Sequence, residues 1–176
     1  MKYIYTLFFL FLLNVEIIAK DNTQMFGYYT NRVIAIDMVP TLLVGEFILS
    51  DSNYYNENLI TRGNIVLFNS PKKDGTLWAK RVIGLPGEII SVKNGKTYIN
   101  SKLFVENYVE NINNNIISKE MNESITLKES EYYLMGDNRD NSFDSRFFGP
   151  VLRTDITAKV QGIYFSKKIS RIGKVK

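Results

Sequence analysis

The sequence predicts a mostly β fold, and three observations carry that reading. Short runs rich in Val, Ile and aromatic residues recur at 33–38, 45–50, 64–68, 77–84, 88–92, 96–99, 132–135 and 158–165. Turn chemistry separates several of them, at Pro71-Lys72-Lys73-Asp74-Gly75, Pro86-Gly87 and Asn94-Gly95. No long amphipathic helical pattern follows the N-terminal residues, while aromatics are plentiful, with 11 Tyr and 11 Phe. The 176 residues suffice for one domain with a modest core plus an appendage.

Taken in order, the chain opens on an apolar stretch. Residues 3–19 read YIYTLFFLFLLNVEIIA, unbroken in apolar character from 7 to 13 and then interrupted by Asn14 and Glu16. A full membrane span needs about 20 residues, so the stretch is short. Two readings stand: a cleaved secretory signal ending near Ala19, or a retained apolar helix that anchors the chain. Residues 1–20 are assigned to this segment and 21–32, polar with scattered aromatics, to a linker. The β-rich core spans 33–104 and 131–176. Asn94-Gly95, flanked by Ile89, Ile90 and Val92 on one side and Tyr98 and Ile99 on the other, predicts a hairpin. Residues 105–130 are rich in Asn, Glu, Lys and Ser and read as a mobile insertion outside that core.

Composition narrows the chemistry. There is no histidine, which excludes Ser-His-Asp and Cys-His arrangements, and no cysteine, which excludes disulfides, thiol nucleophiles and Cys-type zinc sites. A hydrolase with this composition must use a lysine or a carboxylate as its base. The net charge of +4 is mild and scattered, apart from the tail Lys167, Lys168, Arg171, Lys174 and Lys176, which either touches anionic lipid or stays solvated. No nucleic-acid partner, metal or cofactor is expected.

Residues 135–151 read MGDNRDNSFDSRFFGPV. Short polar side chains of this kind favour turns, and a solvated loop is the plain reading. The aspartates and arginines are also spaced to form forked ion pairs, which would lock a rigid, hydroxyl-bearing loop between two apolar strands, a plausible wall of an active site. This stretch resembles the GDNRDNSxDSR signature of the type I signal peptidase family, membrane-bound serine–lysine endopeptidases. Three further blocks resemble the family in the right order. Residues 38–42, MVPTL, match its SMxPTL block after the first position; residues 80–87, KRVIGLPG, match throughout; residues 62–68, RGNIVLF, match RGDIVVF with Asn64 for Asp. Resemblance covers roughly residues 34–165, with 105–130 unmatched.

The resemblance implies a folded-over antiparallel β catalytic core and a role for each matching residue. Lys80, at the head of an apolar run, corresponds to the general base; burial of an amine favours its neutral, proton-accepting form. Read alone, Lys80 could equally snorkel to solvent. Ser142 is expected to orient the lysine amine, and Asp144 and Arg146 to pair and brace the loop, with Asp137 assisting. The backbone N–H of residue 37 would supply half of an oxyanion hole; the hydroxyl that some members add two residues earlier is absent, because that residue is Ala35. Ile36, Met38, Pro40 and Val82 are expected to contact substrate, a strand added between the segments around positions 37 and 80. The implied substrates are signal peptides of exported preproteins, cleaved after small residues, and the implied setting is the bacterial cytoplasmic membrane with the catalytic domain on its outer side.

One departure dominates. The family's nucleophilic serine is replaced by Asp37. A carboxylate beside Lys80 would hold the amine as an ammonium in an ion pair, structurally useful but unable to accept a proton. An acid protease would need a second carboxylate sharing a proton with Asp37, and Asp140 and Asp144 are assigned elsewhere. The sequence therefore supports a signal peptidase I-type endopeptidase impaired at its nucleophile. The alternatives are a non-catalytic relative that binds signal peptides or a secretion partner, and a specialised peptidase for a conjugation or pilus precursor.

Overall fold

The computed structural model describes residues 23–25, 27–109 and 123–175. The N-terminal apolar segment, and residues 110–122 of the insertion, lie outside the described residues. Among the described residues no helix is long and apolar enough to cross a membrane.

Two antiparallel sheets carry the fold. The larger has eight strands in the order β1 (Thr23–Met25), β2 (Tyr28–Arg32), β3 (Phe47–Asp51), β12 (Ile156–Phe165), β4 (Ile65–Asn69), β5 (Leu77–Gly84), β10 (Glu131–Met135) and β11 (Val151–Leu152). The smaller has four, in the order β8 (Lys102–Leu103), β7 (Lys96–Ile99), β6 (Ile89–Lys93) and β9 (Ile125–Thr126). Two one-turn helices are added, α1 (Tyr54–Glu57) and α2 (Ser145–Phe148). The mostly β expectation holds, and the β5 and β7 boundaries are those read from the sequence. Asn94 and Gly95 join β6 to β7 with φ of 50° and 69°, both positive as a type I′ turn requires.

Strand β4 shows how the core is organised. It is buried on both faces, and its side chains alternate between two clusters. Ile65 and Leu67 pack with Met38, Leu42, Ile48, Ala158 and Val160; Val66 and Phe68 pack with Val82, Leu134, Val151 and Ile156. A third cluster, Ile83, Ile90, Val92, Leu127, Tyr133 and Met135, fastens the small sheet to the ends of β5 and β10. Each such aliphatic side chain contributes roughly 1.5–3 kcal/mol on burial. The Arg62–Glu88 ion pair adds a second fastening between the sheets, with Arg62 Nη1 2.9 Å from Glu88 Oε2.

Two stretches depart from the sequence reading. Residues 21–32, read as a linker, carry β1 and β2, which extend the large sheet beyond β3. Residues 33–38, read as a strand, lie outside every ladder. The N–H and C=O of Val33 are taken by Glu46 O and Gly45 N, both at 2.8 Å, and the chain then turns, with Val39 N to Ile36 O at 3.1 Å and Leu42 N to Met38 O at 2.8 Å. Pro40 therefore sits inside a turn rather than at a strand end. Ile34 and Ile36 are 83% and 53% exposed, so the apolar pattern that suggests a strand instead lines a groove.

Candidate active site

The site is built on three segments: the turn at 36–42, strand β5, and the loop at 136–149 between β10 and β11. Asp144 anchors the loop. Fully buried, its carboxylate caps α2 by accepting from Arg146 N at 3.2 Å and takes Gly136 N at 3.0 Å. The Arg146 guanidinium grips both its oxygens, Nε at 2.8 Å and Nη2 at 2.9 Å, while Nη2 also reaches Arg139 O at 2.7 Å. Burial by itself would raise the Asp144 pKa. The Arg146 fork, with help from Gly136 N–H, holds it below the usual carboxylate range. The expected Asp144–Arg146 brace is thus present.

Asp137, expected to assist that brace, has partners of its own outside the loop. Its carboxylate is gripped by Arg81, Nε at 2.9 Å and Nη2 at 2.7 Å, and accepts from the Thr41 hydroxyl. It therefore ties the loop to β5 and to the 36–42 turn at once. Arg81 was not singled out in the sequence, although strand alternation offered the signal: next to Lys80, it must point to the opposite face. Arg139 is a second omission. Buried at 5% exposure, it forms a fork with Glu106, Nη1 2.6 Å from Oε2, and donates to Gly136 O at 3.1 Å. Tyr108 OH donates to the same Glu106 at 2.8 Å, and its ring lies 4.0 Å from the Arg81 guanidinium carbon. Burial and the Glu106 charge push the Tyr108 hydroxyl pKa upward, which keeps it a donor. Glu106 and Tyr108 belong to the stretch read as a mobile insertion; here they lock into the loop's ion-pair network.

The loop positions the turn directly. Asn138 N donates to Asp37 O, and Asn138 Nδ2 to Ile36 O, both at 3.0 Å. The approach is so close that a side chain at Gly136 would collide with the Ser142 side chain and Asp37 O. The Ser142 hydroxyl is buried without a partner in hydrogen-bonding geometry, so its expected bond to the lysine amine is not formed here.

At the centre, Lys80 Nζ donates to Asp37 Oδ2 in an ion pair. The lysine side chain is 1% exposed and the aspartate 24%. Lys80 projects between Trp78 and Val82 on one face of β5, its amine 5.6 Å from the Trp78 ring centroid. The two positions that the sequence reading joins are therefore adjacent. An amine donating into that ion pair has no lone pair to offer, so Lys80 as it stands cannot act as a general base.

A groove of about 670 Å³ opens beside this pair. One wall is residues 31–37; the other is residues 76–79; Met38, Leu42, Ile48 and Leu67 line it more deeply, and Phe143, edge-on to Trp78 with centroids 6.2 Å apart, stands at its rim. The ladder bonds of β5 to the β4 side use Thr76 and Val82, two members of the alternate set that includes Trp78 and Lys80. The backbone groups of Leu77 and Ala79 consequently face away from β4, and β10 covers only residues 81–84. Among the described residues, that leaves an open strand edge along the groove. Ile36 and Met38, two of the four residues expected to contact substrate, line it. Pro40 and Val82 do not. Pro40 lines a separate groove with Tyr108, Arg171 and Val175, and Val82 is fully buried with its backbone bonded to Gly63 and Asn64.

A β core with a buried lysine–aspartate pair beside a groove, braced by a loop of forked aspartate–arginine pairs, has the build of a hydrolase active site. The chain belongs to the signal peptidase, peptidase S26 family, whose profile matches residues 3–165. Signal peptidase I V of Bacillus subtilis (strain 168) is 33% identical over 155 residues, covering 83% of this chain and 91% of that protein. Signal peptidase I of Bacillus caldolyticus is 34% identical over 163 residues, covering 88% of each. The crystal structure of a signal peptidase I from Enterococcus faecalis V583 superimposes with a TM-score of 0.51 at 31% identity, over 58% of this chain and 97% of that one.

Proposed function

We propose that this chain is a membrane-associated signal peptidase I-type protein that holds signal peptides of exported preproteins in the groove but hydrolyses them poorly. The carrying observation is the ion pair between Asp37 and Lys80, at the position where the family's mechanism needs a hydroxyl and a neutral amine. The open edge of β5 offers main-chain bonds to an added strand, and the apolar lining favours small uncharged side chains. Recognition by β-augmentation needs neither the serine nor the free amine, so binding survives the substitution while acyl transfer does not. A serine at position 37 would restore an attacking oxygen within reach of Lys80. The amine would take its proton as the oxygen adds to the scissile carbonyl, and return it to the leaving amine.

The localisation we infer is the outer side of the bacterial cytoplasmic membrane. The test pairs two assays on the full chain: binding of a fluorescent signal peptide and cleavage of the matching preprotein. Binding without cleavage supports the reading. Robust cleavage that disappears in Lys80→Ala overturns the impairment; absence of binding overturns the groove assignment.

A further inference from the structure

The loop that braces the site also carries large apolar side chains that the core leaves in solvent. Phe143 and Phe147 are 50% and 44% exposed, yet they stand in the chain on either side of the buried Asp144–Arg146 pair. Their rings lie 5.1 Å apart between centroids, tilted by 34°. Phe148 supports them from the core side. Its ring is 5.7 Å from Phe143 and 6.2 Å from both Trp78 and Phe68, and Phe68 is fully buried. Phe143 also meets Trp78 edge-on. A continuous run of rings therefore leads from the core to solvent.

A half-exposed phenylalanine by itself is ordinary. Two in contact, seated on further rings and flanked by a buried ion pair, make a rigid shelf. Such side chains lose little conformational freedom when a ligand covers them. The shelf also adjoins the groove: Phe143 and Trp78 both line it. Along β5, Trp78 lies two residues from Lys80, roughly 7 Å at the strand rise. A peptide strand added to the open edge of β5 runs at the same spacing. One of its side chains, within about two residues of the one facing Lys80, comes alongside Phe143.

The surroundings select what that side chain is. Two amines already lie by the Trp78 ring, Lys72 Nζ at 5.7 Å and Lys80 Nζ at 5.6 Å from its centroid, so a basic side chain meets like charge. A carboxylate would have to shed its water against the rings. A further ring extends the edge-on and tilted pairing that the cluster already shows, and such pairing adds to simple burial.

We propose that Phe143 and Phe147 form an aromatic subsite at the rim of the groove, selecting peptides that carry Phe, Tyr or Trp close to the small side chains the groove takes. The proposal rests on the reading of the groove as a peptide site. The experiment titrates the full chain with fluorescein-labelled signal peptides in which Phe or Ser is placed at one position at a time across the segment held in the groove. The expected result is one position at which Phe binds about tenfold more tightly than Ser. Binding there shifts the emission of Trp78, the only tryptophan in the sequence. In Phe143→Ser with Phe147→Ser the Phe-to-Ser ratio falls to about one, and in Phe143→Tyr with Phe147→Tyr, which keeps the rings, it stays near tenfold. Should the serine variant fail to fold, Phe143→Leu with Phe147→Leu keeps the apolar bulk and lowers the ratio to about threefold. Peptide binding with no preferred position, or a preference unchanged in the folded serine or leucine variant, overturns the subsite and leaves the groove reading standing. Absence of all peptide binding by the parent overturns both. Self-association of the peptide-free chain in sedimentation, removed by Phe143→Ser with Phe147→Ser, assigns the shelf to a second copy and overturns the subsite as well.

Discussion

Replacing Glu106 by Gln tests whether the segment after β8 is integral to the active-site loop. Glu106 and Arg139 have side chains only 8% and 3% exposed and meet in a two-pronged fork. Breaking a buried pair by neutralising one partner costs about 3–5 kcal/mol, because the other charge is left desolvated. Arg139 keeps its bonds to Gly136 O at 3.1 Å and Thr97 Oγ1 at 3.2 Å, which puts the expected loss near the lower bound, about 3 kcal/mol. For a chain of this size that lowers the melting temperature by roughly 6–12 °C. Urea and thermal unfolding followed by circular dichroism measure it. Glu106→Gln combined with Arg139→Met should recover part of the loss, because no unpaired charge then remains. A Glu106→Gln protein within about 0.5 kcal/mol of the parent would refute the network as described.

Three further outcomes follow from the site. Gly136→Ala should abolish signal-peptide binding, since a methyl group there collides with Ser142 and with the Asp37 carbonyl; a peptide titration on folded protein checks it. Asp144 and Glu106 both have pKa values lowered in the folded chain, so the unfolded chain binds more protons between the folded values and the ordinary carboxylate range. Their stabilisation is complete above that range and is lost as pH falls below about 4.5, visible as a falling urea midpoint. Lys80→Met, which removes an amine already engaged by Asp37, should leave peptide binding near that of the parent in the same titration, but eliminate whatever cleavage Asp37→Ser regains.

Local chemistry made much of this legible. Short runs rich in β-branched and aromatic residues located β4 and β5, Asn94-Gly95 located a hairpin, and the density of Asp and Arg in 135–151 announced forked pairs. What stayed hidden depends on long-range partners. Asp137 reads as part of a loop cluster until Arg81, 56 residues earlier in the chain, closes on it. Glu106 and Tyr108 sit in a polar stretch that resembles solvated insertion, and only the fold brings Arg139 to them. Residues 33–38 have a strand's composition, but Val33 is diverted to Gly45 and Glu46, so the apolar side chains that follow line a groove instead of a ladder. Val82 matches a substrate-facing expectation by its place in the motif, and it shares a face of β5 with Lys80, yet β10 covers the strand at that point and packs Val82 into the core.

The central claim concerns one atom position. Cleavage of a preprotein by the purified full chain, side by side with its Asp37→Ser variant, tests it most directly. The expected result is negligible cleavage by the parent and measurable cleavage by Asp37→Ser that Lys80→Ala removes. Equal cleavage by parent and variant would contradict it.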